Sequence, residues 1–151
     1  MRFLLFILPL LFTVSIAHAQ ENMMAIKSPY SVDKTLDRFE TAAKAKGLTI
    51  FTRIEHSKNI AGVGMKIRPT SLLIFGNPKI GAKIMGKNQT AGIDLPMKAI
   101  AWEDENKQVW LAYNRPYTVM QRHHISDLQE LTVKMATTLK SLAAIAVSSI
   151  K

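Results

Sequence analysis

Two long segments of helical periodicity, one early in the chain and one at its end, constrain the fold most. After Ser31, a good helix cap, apolar residues recur every three or four positions as far as Ala43, and Gly47 is placed to end that helix. A second stripe starts at Ser126 or Asp127, ends near Val147, and contains Leu128, Leu131, Met135, Leu139, Leu142 and Ile145. Each stripe requires an apolar surface to pack on, and the second helix is long enough to cover one face of a sheet.

The residues before and between these stripes have the composition and alternation of strands. The predicted strands are 24–28, 48–54, 71–75, 97–103 and 108–113, with a polar hairpin at 104–107 and a short helix over 78–88. The segment 71–75 is almost wholly apolar, which favours a central place in the sheet. We therefore predict one α+β domain with two layers, in which two or three helices cover a mixed or antiparallel sheet of at least four strands.

The amino terminus has the pattern of a cleavable secretory signal peptide. Arg2 precedes an apolar run from Phe3 to Ile16, and Ala17 and Ala19 are the small residues that a signal peptidase requires. The run of about 14 residues is shorter than the roughly 20 that span a bilayer as a helix. We predict that residues 1–19 are removed and that residues 20–151 form a periplasmic or secreted domain with no stable membrane insertion.

The charge and the missing cysteines exclude several classes of protein. The formal net charge is +9, but the lysines are scattered and are not interleaved with aromatic residues as in a nucleic-acid-binding stripe. We therefore expect no nucleic-acid partner, and we interpret the charge as favouring solubility and contact with the cell envelope. The absence of cysteine excludes disulfides, thiolate metal sites and cysteine nucleophiles. No motif predicts a cofactor.

Several short strings, spread over most of the chain, carry a family resemblance. They lie at residues 31–38, 46–51, 68–70, 73–78, 94–96, 102–104, 109–111, 113–114 and 122–123, and the most specific is the Phe-Gly-Asn-Pro string at 75–78. From about Met24 to Leu142 the chain resembles the bacterial family called domain of unknown function 302. The resemblance implies an α+β fold and a homodimer, and it implies no established activity and no catalytic residues.

The Phe-Gly-Asn-Pro string ends a predicted strand and allows two interpretations. In the first, Gly76 permits a backbone angle that other residues avoid, and Asn77 caps a helix that begins at Pro78. In the second, free amides at the start of that helix bind a carboxylate or phosphate. The first interpretation makes the string structural, whereas the second makes it part of a binding site.

The most favoured function from sequence is noncatalytic binding of a small, anionic ligand or of an envelope protein. The polar residues from which we predict the pocket are Asn77, Asp94, Glu103, Tyr113 and Arg122. Arginine and asparagine can donate hydrogen bonds to an anion, although Arg122 could instead pair with one of the acids. We lean away from an enzyme.

The alternative is a metal-binding protein or a hydrolytic enzyme. His56 and His123, joined by a carboxylate such as Asp94 or Glu103, would suit zinc or copper. Ser71, Asp94 and His123 could also form a hydrolytic triad, although no glycine-framed nucleophile turn surrounds any serine. Ordinary surface or hydrogen-bonded histidines are the simpler interpretation, and we expect no bound metal.

Overall fold

The computed structural model describes residues 22–149, so the predicted signal peptide and its cleavage after Ala19 lie outside the described residues. The strands are β1 (Met23–Ser28), β2 (Thr49–Ile54), β3 (Thr70–Gly76), β4 (Met97–Glu103) and β5 (Val109–Asn114). The helices are α1 (Val32–Ala45), α2 (His56–Ala61), α3 (Pro78–Met85), α4 (Pro116–Arg122) and α5 (Gln129–Val147), with a 3-10 helix at Gln89–Ile93. Among these residues no helix is both long and apolar enough to cross a membrane.

The strands form one five-stranded sheet in the order β1-β5-β4-β3-β2. Every neighbouring pair is antiparallel. The prediction of a two-layer α+β fold is confirmed. β3 is an interior strand as expected, although β4 occupies the middle of the sheet.

The core lies between one face of the sheet and the two long helices. Along β3, the buried side chains Ser71, Leu73 and Phe75 alternate with half-exposed ones, and the buried set faces α1. The rings of Phe39 and Phe75 meet edge to face with centroids 5.0 Å apart. Helix α5 is joined to α1 by the Arg38 guanidinium, whose Nε donates to a carbonyl of α5 at 2.7 Å.

The opposite face of the sheet is not covered by either long helix. Half-exposed side chains on it include Leu72, Ile74 and Ile100, together with Trp102 and Trp110, whose rings stack with centroids 6.3 Å apart. The apolar string of β3 is therefore not buried on both sides. Antiparallel sheets can face water on one side, so an apolar run alone did not settle this point.

Four local features differ from the sequence predictions. The short helices α2 and α4 were not expected, and α5 begins at Gln129 without a side-chain cap from Ser126 or Asp127. In α5 the side chain of Ile145 is 45% exposed, because Ala143 and Ala146 occupy the buried face instead. Gly47, by contrast, ends α1 as predicted, with a φ of 72° that favours glycine.

Candidate functional site

An apolar cavity of about 570 Å³ lies at one end of the sheet. The carboxyl ends of α1 and β3, helix α3, the start of β4 and the middle of α5 surround it. Its walls are mainly apolar and include Leu48, Phe51, Ile80, Met85, Met97 and Leu139. Its volume is within the range of pockets that enclose small organic molecules, and such pockets are usually apolar with a few polar groups.

Phe51 faces this cavity because of an irregularity in β2. The pairing register between β2 and β3 shifts between Ile50 and Thr52, so that Phe51 is the extra residue of a bulge. Its side chain is 49% exposed and lies on the cavity wall. Phe51 therefore does not lie on the buried face of β2.

Gly76 also lines the cavity, but its backbone is ordinary. The glycines with positive φ among the described residues are Gly47 and Gly64, so the expectation of an unusual backbone angle at Gly76 is wrong. A Cβ atom added at Gly76 would lie 3.5 Å from the Cβ of Pro96 across the cavity wall, an ordinary van der Waals contact. Because Gly76 has no side chain, it leaves unoccupied the space that a Cβ atom would fill at this point of the wall.

Asn77 caps helix α3, as the first interpretation of this string predicted. Its Oδ1 accepts a hydrogen bond from the Lys79 amide at 2.9 Å, and its backbone carbonyl accepts from the amides of Ile80 and Gly81. Pro78 has no amide hydrogen, so the first turn of the helix has no donor left over. The second interpretation, an anion held by these amides, loses the groups it requires.

Asp94 is the centre of a polar network beside the cavity. Its Oδ1 accepts from Arg122 Nη1 and its Oδ2 meets His123 Nε2, both at 2.7 Å. His123 is buried, and its Nδ1 lies 2.9 Å from Thr90 Oγ1. The Asn88 side chain donates to the His123 carbonyl at 3.0 Å. The network ties the 3-10 helix and the turn after it to the end of α4.

This network supports the cavity wall. The chain runs directly from Asp94 into Leu95, Pro96 and Met97, which line the cavity. Lys98 Nζ donates to the carbonyls of Asp94 and Pro96, at 3.0 Å in each case. The charges of the network are therefore used to hold a loop in place.

The proposed hydrolytic triad is not assembled. Asp94 and His123 are in contact, but Ser71 is buried in β3 and pairs with Ala101, towards the far end of the sheet. Thr90 takes the position next to His123, and its hydroxyl also lies 2.7 Å from Asn88 Oδ1. Thr90 is not among the residues that line the cavity.

Two residues of the predicted pocket lie away from the other three. Glu103 ends β4, six positions after Met97 and therefore about 20 Å away along the strand. Tyr113 is buried on β5 and lines a separate recess of about 350 Å³ with Met24 and Lys140. Burial raises the pKa of the Tyr113 phenol above its ordinary value of 10.0. The predicted site therefore divides, with Asn77, Asp94 and Arg122 at the cavity end.

The two candidate metal ligands also lie apart. His56 begins α2, immediately after β2, whereas His123 follows α4 at the cavity end. Residues 22–149 contain no group of three histidine, aspartate or glutamate side chains that could hold a metal ion.

Sequence reasoning missed most of the residues that form the cavity. Lys46 and Lys134 lie at its edge, and Phe51 and Met85 are apolar side chains left half-exposed there. A weak signal was present: two consecutive apolar residues, Ile50 and Phe51, break the alternation that a regular strand would show. No local pattern connects the lysines to each other, because they come from different helices.

The chain is similar to part of several longer proteins from Brucella. It is 37% identical over 117 residues to the fluoride-specific ion channel FluC 1 of Brucella suis and, with the same identity and length, to FluC 1 of Brucella abortus. These matches cover 78% of this chain but 46% and 43% of the two relatives. The chain thus spans less than half the length of the curated relatives that it matches.

A solved structure and a family profile agree on the fold and the family. The crystal structure of an uncharacterized conserved DUF302 protein from Bacillus stearothermophilus superimposes with a TM-score of 0.74 and 16% sequence identity, covering 83% of this chain and 98% of that one. At this identity the likeness concerns the fold alone. The profile described as domain of unknown function DUF302 matches residues 24–144, which is most of the chain, and the chain therefore belongs to the DUF302 family.

Proposed function

We propose that this domain binds a small, largely apolar molecule in the cavity at the end of its sheet and does not transform it chemically. The observation that carries the proposal is the cavity itself: about 570 Å³, mainly apolar, and bounded by helices, strands and the loops that join them. Leaving such a surface in water is unfavourable, and an apolar ligand would gain free energy by displacing that water.

The arrangement of the nearby polar groups supports binding over catalysis. Asp94 and His123 are bonded to each other, and Arg122 and Thr90 complete their contacts. A general base or nucleophile must reach the substrate, and geometry is the first criterion for such a role. Here Thr90, Asp94, Arg122 and His123 are not lining residues of the cavity; Asp94 directly precedes the wall residues 95–97, and its contacts hold that stretch in place.

Methionine methyl groups provide a direct test. Met85, Met97 and Met135 line the cavity, whereas Met65 and Met120 do not. With 13C-methyl methionine in the purified protein, titration with 1-decanol should shift the methyl resonances of the first three and leave the last two in place. Shifts of similar size for all of these methyl groups, or none at all, would contradict a defined pocket.

A matched pair of variants tests whether the cavity is the place of binding. Thr138 lines the cavity, and its hydroxyl donates only within α5, to the Lys134 carbonyl at 2.9 Å. Thr41 makes the same contact within α1, to the Asp37 carbonyl at 2.8 Å, on an exposed surface outside the cavity. Thr138→Phe should fill space and abolish the decanol-induced shifts, while Thr41→Phe should leave them unchanged.

We also propose that the chain is exported and forms a homodimer. The amino-terminal pattern of residues 1–19 supports export to the periplasm or the medium, and the family resemblance supports a second copy as partner. Native mass spectrometry of protein recovered from the periplasm would report the mature mass, the number of copies and any retained ligand. A chain that begins at Met1 in the membrane fraction would refute export, and a monomer at micromolar concentration would refute the dimer.

A second candidate function is that of a partner for an ion channel. The supporting observation is that relatives named fluoride-specific ion channels contain a region 37% identical to this chain within proteins more than twice as long as that region. Fusion keeps two modules at high effective concentration, so that even a weak contact between them is maintained. Fluoride itself is a poor candidate for the cavity, because an apolar surface cannot replace the water around a small anion.

Fluoride tolerance tests this second candidate. Cells that lack the gene for this chain should grow more slowly than the parent in millimolar fluoride, and equally well in millimolar chloride. Equal growth of the two strains in fluoride would leave ligand binding as the proposed function.

A further inference from the structure

Two lysines at the edge of the cavity suggest which class of molecule enters it. Lys46 follows the end of α1 and Lys134 lies in α5, so they approach the cavity from separate helices. Among residues 22–149 they are the charged side chains in the cavity lining, and no acidic residue of that range contributes to it. The other polar side chains of the lining are those of Asn77 and Thr138.

Within the described residues these two ammonium groups have no carboxylate partner, unlike several other lysines of the domain. Lys44, Lys58 and Lys87 each form an ion pair at 2.6 Å. Within residues 22–149 no such pair is found for Lys46 or Lys134, even though Glu130 stands one helical turn before Lys134. The edge of the cavity is therefore positively charged and uncompensated.

Asn77 adds a hydrogen-bond donor to the cavity lining. Its Oδ1 is occupied by the Lys79 amide, which leaves the side-chain NH2 group as the part available to a ligand. An apolar interior with cationic and amide donors at its mouth complements a molecule that has an apolar body and a hydrogen-bond-accepting group at one end. Water screens the charges of the exposed lysines, so most of the binding free energy would come from burial of apolar surface. The lysines would add selectivity for the charge of the ligand.

From this arrangement we infer that the ligand is an amphipathic anion, a molecule with an apolar chain or ring system and a single carboxylate, phosphate or sulfonate head. The inference rests on the proposed function, because it names the ligand class of the same cavity. The apolar part fills the interior, and the head stays at the mouth between Lys46 and Lys134. Repulsion by the two lysines weakens the binding of a cationic amphiphile of the same length.

Three probes of equal chain length separate this inference from the proposed function. The purified protein is titrated with decanoate, 1-decanol and decylamine below their critical micelle concentrations, with the Met97 and Met135 methyl resonances as the signal. Decanoate should bind about tenfold more tightly than 1-decanol in low salt, and decylamine more weakly than either. Salt at about 1 M should reduce the preference for decanoate.

Paired substitutions locate the charge effect. In Lys46→Gln/Lys134→Gln the affinity for decanoate should fall to that for 1-decanol, while the affinity for 1-decanol changes less than about twofold. The control Lys34→Gln/Lys66→Gln removes the same total charge from exposed positions outside the cavity and should retain the preference. Dodecyl phosphate in place of decanoate shows whether the head can be a phosphate.

The outcomes distinguish the two claims. If 1-decanol and decanoate bind equally and both pairs of substitutions are without effect, the inferred ligand class is wrong and the apolar pocket stands. If none of the probes shifts the methyl groups that line the cavity, both the ligand class and the proposed function are wrong. If both pairs of substitutions reduce the preference equally, the selectivity comes from net charge and the inference fails.

Discussion

The cavity and the Asp94 network share one stretch of chain, residues 94–97, but differ in whether their charged side chains are paired. In the network, the carboxylate of Asp94 is bonded on both oxygens, to Arg122 and to His123. At the cavity the walls are apolar, and no carboxylate of the described part of the chain pairs with Lys46 or Lys134. The ionisable side chains around Asp94 thus stabilise the fold, whereas the proposed binding site is a cavity with few ionisable side chains.

The difference follows from the free energy that each group would cost without an interaction partner. A buried histidine without its partner carries the full cost of desolvation, so His123 and Asp94 are held together by the fold. An exposed lysine without a partner remains hydrated and costs almost nothing, so Lys46 and Lys134 are available to a ligand. Four substitutions test this contrast.

The largest expected effect is on stability, from Asp94→Ala. It removes both contacts of the carboxylate and leaves His123 buried without its partner, which should lower the free energy of unfolding by about 2 kcal/mol. Urea denaturation followed by circular dichroism measures this change. Glu40→Ala is the control, since it removes a surface ion pair with Lys44 and should cost less than about 1 kcal/mol. Equal losses of unfolding free energy for Asp94→Ala and Glu40→Ala would contradict a structural role for the network.

The next effect is on binding alone, from Asn77→Asp. Aspartate caps a helix as well as asparagine does, so the free energy of unfolding should change by less than about 0.5 kcal/mol. The new carboxylate would lie at the mouth of the cavity and repel an anionic head. Titrations should show decanoate binding several-fold more weakly, with 1-decanol unaffected. A loss of stability without any change in decanoate affinity would assign Asn77 to the fold only.

Gly76→Ala should produce a smaller change, favourable to stability and unfavourable to binding. Alanine in a strand restricts the unfolded chain more than glycine, and the added methyl group meets Pro96 at an ordinary distance, so we expect a gain of about 0.5 kcal/mol in urea denaturation. The same methyl group enters the cavity lining and should weaken 1-decanol binding about twofold. A loss above about 1 kcal/mol would instead mean that the backbone at this position requires glycine.

The smallest effect concerns Asp104, a second bonded carboxylate, at the far end of the sheet. The Trp110 indole donates to its Oδ2 at 2.7 Å, and this bond, with the amides of Gln108 and Asn106, holds the pKa of Asp104 below its usual 3.8. The stability that this lowered pKa confers is present above the unfolded pKa and is lost as the pH falls through the folded one.

The measurement for Asp104 is urea denaturation followed by tryptophan fluorescence, at about pH 3 and about pH 7. Asp104→Asn keeps an oxygen for the indole but cannot titrate, so it should reduce the loss of stability on acidification. Decanoate binding at neutral pH should be unchanged, because Asp104 lies at the end of the sheet away from the cavity. An unchanged acid response would mean that this carboxylate does not contribute to it.

The elements with a strong local pattern were predictable. Ser31 and Gly47 delimit α1 as expected, and the hairpin between β4 and β5 falls where its polar turn predicts. Helix α4 was missed because Pro116 could equally break a strand or begin a helix, and the local sequence does not decide between these. Of the predicted pocket, Asn77, Asp94 and Arg122 lie at the cavity end, Glu103 lies at the far end of β4, and Tyr113 lines a separate recess.

The sequence by itself determined the two amphipathic helices, the strands, the antiparallel hairpin and the family, because each depends on periodicity or on short strings read within a few residues. Only the tertiary structure decided which charges are paired and where a cavity remains. Asp94 pairs with Arg122 and His123, and Lys46 and Lys134 line one cavity from different helices, through chain reversals that no local pattern encodes. Charge pairing and cavity formation depend on how elements that are distant in the sequence pack together. Their free energies arise from contacts between those elements, so no single segment determines them.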